Sequence, residues 1–200
     1  MGNSVSVIEY KELLNQMLTS ESGDVDRDTL TKFLSYSEDS SDQAMVFTST
    51  SPEDIKSVKQ SKPKNLSKFI IQVIDVFYKM ASESAKIDDP QHISVMKGAV
   101  NVLIKFLPYI MDSKAFMDKI LWDGEGVPTG VKLCQGILIM LFKPGYSVRV
   151  LSSDVADINT KGIDQNILWK NGVSTSGEVY NHSYTNFDTN RIGLLRLLLI

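Results

Sequence analysis

The chain has 200 residues, with 21 Lys and Arg against 24 Asp and Glu, a formal net charge of −3 and 42% apolar residues. These ordinary globular values exclude collagen-like, disulfide-scaffold and wholly disordered classes. Without a basic excess no nucleic-acid partner is expected, and the length suits one large domain or two small ones.

The chain opens Met1-Gly2-Asn3-Ser4-Val5-Ser6, which fits the N-myristoylation pattern in full. Removal of Met1 would leave the unhindered amine of Gly2 to take the acyl chain. Small residues at Asn3 and Ser4 and the hydroxyl of Ser6 suit a narrow enzyme channel. Residues 1–6 therefore read as a flexible, myristoylated N-terminus, with Gly2 as the lipidation site and covalent myristate in place of any cofactor. One myristoyl chain gives only marginal, reversible binding, so a second signal is needed. Dual acylation is excluded, because no cysteine lies nearby. The first 30 residues set two basic residues against six acids and would repel anionic lipid. Lys56, Lys59, Lys62, Lys64 and Lys68 are better placed, with no acid between Asp54 and Asp75. Each lysine near an anionic surface adds about 1 kcal/mol. The same lysines also suit a solvated helix face and linker, and a partner protein could equally supply the second contact.

Helical spacing begins over residues 8–18, with Ile8, Tyr10, Leu13, Leu14, Met17 and Leu18. A short helix is expected over 29–36, with Leu30, Phe33 and Leu34 on one face, and an acidic, serine-rich loop over 38–43. Ser51-Pro52-Glu53-Asp54 is a strong helix start, with a capping hydroxyl, proline at the first position and two acids in the first turn. That helix should stop near Lys62-Pro63. Asn65 is expected to cap the next, whose stripe is Leu66, Phe69, Ile70, Val73, Ile74, Phe77 and Met80.

Asp88-Asp89-Pro90 opens another helix, with Ile93, Met96, Val100, Leu103, Ile104 and Leu107 on its inner face. Pro108 should kink or end it, and Asp112 is expected to cap a helix over 113–122. Residues 123–130 carry three glycines and a proline and read as a loop. Residues 130–142, nearly all apolar, are expected to form a central helix ended by Lys143-Pro144-Gly145. Residues 146–151 alternate weakly, as a short strand or extended segment would. Residues 152–184 are rich in Ser, Asn, Asp and Gly, an irregular insertion around Ile167, Leu168 and Trp169. Asp188 should cap a last helix over 191–200. Its apolar end at 194–200 should not face water, so it either docks into the core or belongs to a longer protein. The expected fold is all-α, an irregular helical bundle or α-solenoid-like segment with a long polar loop near residues 152–187. The divisions are residues 1–6, a helical domain over 7–151, an irregular loop region over 152–187, and a helix over 188–200 truncated at the chain end.

No motif for catalysis or metal binding survives inspection. Asp24-Val25-Asp26-Arg27-Asp28 begins like an EF-hand loop, but Thr29 stands where glycine is needed and Ser35 where a bidentate Glu is needed. Gly124-Glu125-Gly126 with Gly130 lacks a preceding strand and a following Lys-Ser/Thr. His92 and His182 are the two histidines, too few and too scattered for zinc. Cys134, the single cysteine, sits in an apolar run and is expected to be a buried, reduced thiol of a cytosolic protein. No basic n-region and apolar h-region open the chain, so secretion is disfavoured and the sequons at Asn65 and Asn181 are expected to be unused. With no run of about 18 apolar residues, no bilayer span is expected.

The chain resembles the N-terminal part of the high-temperature-induced dauer formation protein family, which is related to dymeclin. The resemblance rests on Met1-Gly2-Asn3-Ser4, Pro63-Lys64-Asn65-Leu66, Leu107-Pro108-Tyr109-Ile110 and Leu141-Phe142-Lys143-Pro144-Gly145-Tyr146-Ser147-Val148. It continues in Leu168-Trp169-Lys170-Asn171-Gly172-Val173 and in Asn190-Arg191-Ile192-Gly193-Leu194-Leu195-Arg196-Leu197-Leu198-Leu199. It implies a large, mostly helical, N-myristoylated peripheral membrane protein, several times longer than this chain. Such proteins act on the cytoplasmic face of Golgi and trans-Golgi membranes, exchanging with cytosol, in protein sorting and secretory vesicle traffic. It carries over Gly2 as acylation site and no catalytic residue. The partners it implies are the membrane surface, trafficking proteins and the remainder of a longer family scaffold. The leading expectation is therefore a non-catalytic scaffold. The alternatives are a truncated fragment without autonomous activity, or an enzyme with an unrecognised active site.

Overall fold

The computed structural model describes residues 7–19, 25–36, 45–83, 89–123, 126–148 and 185–200. They form α1 (Val7–Thr19), α2 (Arg27–Tyr36), α3 (Met45–Ser49), α4 (Pro52–Ser61), α5 (Pro63–Glu83), α6 (Pro90–Met111), α7 (Lys114–Leu121), α8 (Thr129–Leu141) and α9 (Thr185–Leu198). No strand occurs among the described residues, and the fold is an all-α bundle. The expected insertion at 152–184 and the acidic loop at 38–43 lie outside them, as does Gly2.

The pair α5 and α6 is the centre. Leu66, Phe69, Ile70, Val73, Ile74 and Phe77 of α5 are all fully buried, as the apolar stripe requires. In α6 the buried residues run all round, from Val95 and Met96 through Val102 and Leu103 to Ile110, the mark of a helix enclosed by others. By length and composition alone α6 could cross a membrane, but more than half of its most apolar stretch is buried inside the protein. Its apolarity is spent on packing. An aromatic ladder ties α1 and α2 to this centre. Tyr10 stacks on Phe33 at 4.6 Å, Phe33 meets Phe69 edge-on at 6.0 Å, and Phe69 meets Phe106 at 5.7 Å. The last pair joins the start of α5 to the end of α6, so the two run antiparallel.

Glycines set two of the crossings. A methyl group at Gly98 of α6 would lie 1.8 Å from the Leu34 carbonyl oxygen, so α2 approaches α6 backbone to backbone there. The Ser94 hydroxyl donates to the Ser35 carbonyl at 3.0 Å beside it. At Gly136 of α8 the Phe77 ring of α5 fills the space a methyl would take, at 2.6 Å. The helix α9 passes α6 at Gly193, against Val100. Gly98 and Val100 are two residues apart, about 200° around a helix, so α2 and α9 sit on opposite faces of α6. The molecule is therefore layered, with α5 and α6 between α1 and α2 on one side and α8 and α9 on the other. Within this frame α8 runs parallel to α5. Lys132 bonds Asp75 at 2.7 Å, Gly136 meets Phe77, and Lys143 donates to the Ala81 carbonyl at 2.6 Å.

Several local expectations hold. Ser51 and Asp54 form a reciprocal capping box: the Asp54 N–H donates to Ser51 Oγ at 3.2 Å and the Ser51 N–H to the Asp54 carboxylate at 2.9 Å. These bonds, with the nearby Lys11 charge, hold the Asp54 carboxyl below its ordinary value. Asp89 caps α6 by accepting from the Gln91 N–H at 3.0 Å.

Others are corrected. Asn65 does not cap α5, which already starts at Pro63; its amide instead donates to the Leu18 carbonyl at 2.9 Å. Of the two expectations for Pro108, that it kinks or ends α6, the second is corrected: the helix continues to Met111, with Pro108 exposed in its final turn. Asp112 closes α6 rather than opening α7, whose preceding residue is Ser113. Asp188 lies in the first turn of α9 and pairs with Arg191 at 2.8 Å, because α9 already starts at Thr185. The short helix α3 carries no signal strong enough to be read from sequence. Of the segment 146–151, residues 149–151 lie outside the described ones, and 146–148 form a turn: Tyr146, Ser147 and Val148 all donate their N–H groups to the Lys143 carbonyl. Gly145, with φ +86°, makes that turn possible.

The helix α8 is not central. Leu133, Gly136, Ile137 and Met140 face inward, while Cys134, Gln135, Leu138 and Ile139 are exposed. Cys134 is thus an exposed thiol, against the expectation of burial. An apolar run marks neither helix depth nor which face packs, and only the contact with α5 decides both.

Candidate membrane-contact surface

The five lysines do not form one solvent-facing patch. Lys59 reaches inward from α4: its ammonium donates to the Tyr109 carbonyl at 2.6 Å, lies 3.8 Å from the Asp112 carboxylate and sits 5.4 Å from the Phe116 ring centre. It serves the last turn of α6, where carbonyls lack intrahelical donors. Lys62 stands between α4 and α5 and donates to the Thr19 carbonyl at 3.0 Å, closing the end of α1 in the same way. Lys56, Lys64 and Lys68 are exposed. Lys64 and Lys68 are one helical turn apart at the start of α5, and Lys56 lies on α4, which packs against it. The structure thus separates Lys59 and Lys62, which hold helix-end carbonyls, from Lys56, Lys64 and Lys68; Lys62 is exposed as well, and Lys59 alone of the five is half-buried.

Lys143 is a separate case. It is buried beside the end of α5, donates to the Ala81 carbonyl, and has its pKa lowered by burial. Its role is to lock the end of α8 to the end of α5. His92 lies in the first turn of α6, 3.8 Å from Asp89, and is exposed. Asp26, from the rejected EF-hand segment, accepts from the Thr29 N–H at 3.2 Å and so caps α2. Among the described residues no cluster of His, Cys, Asp and Glu is arranged to hold a metal ion.

A surface that sequence reasoning saw only in part, through the apolar run over 194–200, lies on α8 and α9. Leu138, Ile139 and Phe142 on and after α8, and Ile192, Leu195 and Leu199 on and after α9, are large apolar residues left exposed. Leu138 and Phe142 are four apart, and Ile192, Leu195 and Leu199 follow at three and four, so each set is one outward stripe. The two helices pack on each other, and α9 is tied to the turn after α8. There the Asn190 amide donates to the Tyr146 carbonyl and the Arg191 guanidinium to the Ser147 carbonyl, both at 2.7 Å. The available signal was the outward side of α8, whose exposed positions carry no charge.

The family model described as high-temperature-induced dauer-formation protein matches residues 1–200. The chain belongs to that family. The resemblance drawn from its short segments is the correct one. No curated protein and no solved structure matches the chain. Family membership and the all-helical fold agree, and neither assigns a reaction to any side chain.

Proposed function

We propose that this member of the high-temperature-induced dauer-formation protein family is an N-myristoylated peripheral membrane scaffold without catalysis. It acts on the cytoplasmic face of Golgi and trans-Golgi membranes in protein sorting and secretory vesicle traffic. The observation that carries the reading is the opening Met1-Gly2-Asn3-Ser4-Val5-Ser6, a full acylation pattern. Family membership over residues 1–200 supports it. In this reading Gly2 bears the acyl chain, and trafficking proteins bind the helical scaffold. The outward lysines Lys56, Lys64 and Lys68 add weak attraction to anionic lipid. A single acyl chain binds reversibly, so the protein exchanges between membrane and cytosol.

The test is expression of the chain with N-myristoyltransferase beside a Gly2→Ala variant. Intact mass should show one myristoyl group on the first and none on the second, and only the first should sediment with Golgi membranes. An unmodified wild-type chain, or membrane recovery indifferent to Gly2, refutes the reading.

A further inference from the structure

The junction of α4 and α5 sets serines among lysines. Residues 56–64 read Lys-Ser-Val-Lys-Gln-Ser-Lys-Pro-Lys, and no Asp or Glu occurs between Asp54 and Asp75. Lys56, Ser57, Ser61, Lys62, Lys64 and Lys68 are all exposed. Glu53 and Asp54 lie at the other end of α4, where the Asp54 carboxylate is held by the Ser51 N–H. Of the serines in this region, Ser51 caps α4, Ser67 is buried, and Ser57 sits inside the helix. Ser61 is the last residue of α4, and its hydroxyl donates to the Ser57 carbonyl at 2.8 Å.

A serine kinase that selects basic neighbours reads the charges around an accessible acceptor, and Ser61 is placed for that. It precedes Lys62, whose backbone is already non-helical at φ −137° and ψ 58°. Ile55 is the one buried residue of α4, so loosening the last turn uncovers no fully buried side chain. A phosphate on Ser61 would carry a charge of about −1.5 to −2. It would meet the negative end of the α4 dipole, which disfavours it, and the ammonium groups of Lys62 and Lys64, which attract it. It would offset up to two of the four exposed lysine charges at this junction.

We propose that Ser61 is a phosphorylation site for a basic-directed serine kinase, and that the phosphate switches off the attraction of Lys56, Lys62, Lys64 and Lys68 to anionic lipid. The Ser61 hydroxyl oxygen attacks the γ-phosphorus of ATP. The bond from that phosphorus to the ADP oxygen breaks, ADP leaves, and the hydroxyl proton passes to the base of the kinase. The switch deepens the peripheral-membrane reading above and rests on it. With the lysine attraction offset, the acyl chain alone holds the protein, and one acyl chain is marginal. Phosphorylation then sets how long the protein stays on an anionic membrane.

The test takes the myristoylated full chain in solution with ATP and the catalytic domain of protein kinase C, a basic-directed serine kinase. Intact mass should show one phosphate, fragment masses should put it on Ser61, and Ser61→Ala should take up none. A folded chain left unmodified, or modified elsewhere instead, overturns the proposal. Phosphorylated and untreated chains are then mixed with phosphatidylcholine vesicles with or without phosphatidylserine. An offset of two lysines corresponds to roughly a tenfold loss of partition on the serine-lipid vesicles. No change is expected on phosphatidylcholine alone, where only the acyl chain acts. Equal partition of the two forms, or equal loss on both kinds of vesicle, overturns the switch. The two readings fail separately. A chain that takes no myristoyl group yet is modified at Ser61 refutes the earlier reading and leaves the site standing; an acylated chain that binds equally with and without the phosphate refutes this one.

Discussion

Replacing Gly98 by alanine tests the layered packing most sharply. The new methyl would lie 1.8 Å from the Leu34 carbonyl oxygen. Carbon–oxygen contacts of this type settle at about 3.3–3.6 Å, so α2 must withdraw by roughly 1.5 Å. Backbone cannot yield as a side chain can. The withdrawal also pulls Phe33 from Tyr10 and Phe69, which it meets at 4.6 and 6.0 Å. Overpacking costs about 1–3 kcal/mol, with a displaced helix at the upper end. Alanine recovers about 1 kcal/mol of helix propensity. The net loss is then about 2 kcal/mol, or roughly 4–8 °C of melting temperature for a chain of this size. Urea unfolding followed by circular dichroism at 222 nm gives the free energy. Gly136→Ala is the control: its methyl meets the Phe77 ring, a side chain rather than backbone, so the loss should be smaller. A Gly98→Ala protein as stable as wild type would refute the close α2–α6 approach.

Ser51→Ala removes half of the capping box and should cost about 1 kcal/mol, read as a lower urea midpoint. Because the Asp54 carboxyl sits below its unfolded value of 3.8, its contribution is present at neutral pH and is lost as pH falls through that range. The gap between wild type and Ser51→Ala should therefore narrow in acid, and a constant gap would contradict the box. Lys143 has the opposite sign. Burial lowers its folded pKa below 10.5, so the unfolded chain holds the proton longer and wild type gains stability as pH rises toward 10.5. Measured against Lys143→Met over the alkaline range, wild type should improve; a flat difference would show that the ammonium is not desolvated.

Much of the fold was legible because its signals are local. Ser51, Pro52 and Asp54 specify a helix start within four residues, and the stripe from Leu66 to Phe77 needs only the helical period. What failed depended on neighbours far along the chain. Asn65 looked like a cap because nothing in its vicinity reveals that the end of α1 would claim its amide. Cys134 looked buried because its neighbours are apolar, yet the side of α8 that packs is chosen by Phe77 of α5 meeting Gly136. The lysines looked alike in sequence, and only the last turns of α1 and α6 distinguish Lys62 and Lys59 from Lys56, Lys64 and Lys68. The apolar face of α8 and α9 was half legible, since the run over 194–200 stood out while its partner on α8 was read as core.

The parallel course of α5 and α8 has a consequence for how the chain is made. Their bonds join residues 57 and 62 positions apart, from Asp75 to Lys132 and from Ala81 to Lys143. Antiparallel α5 and α6 can close through a short connection as soon as both are synthesised. The side of α5 around Phe77 must wait for residue 136, and the lock at its end for residue 143. Closing the longer loop adds an entropic cost that grows only with the logarithm of its length, so the delay is one of time rather than stability. At ribosomal speeds of about 5–20 residues per second, that side of α5 stands open for several seconds. A nascent chain paused between α6 and α8 would be the form most in need of a chaperone.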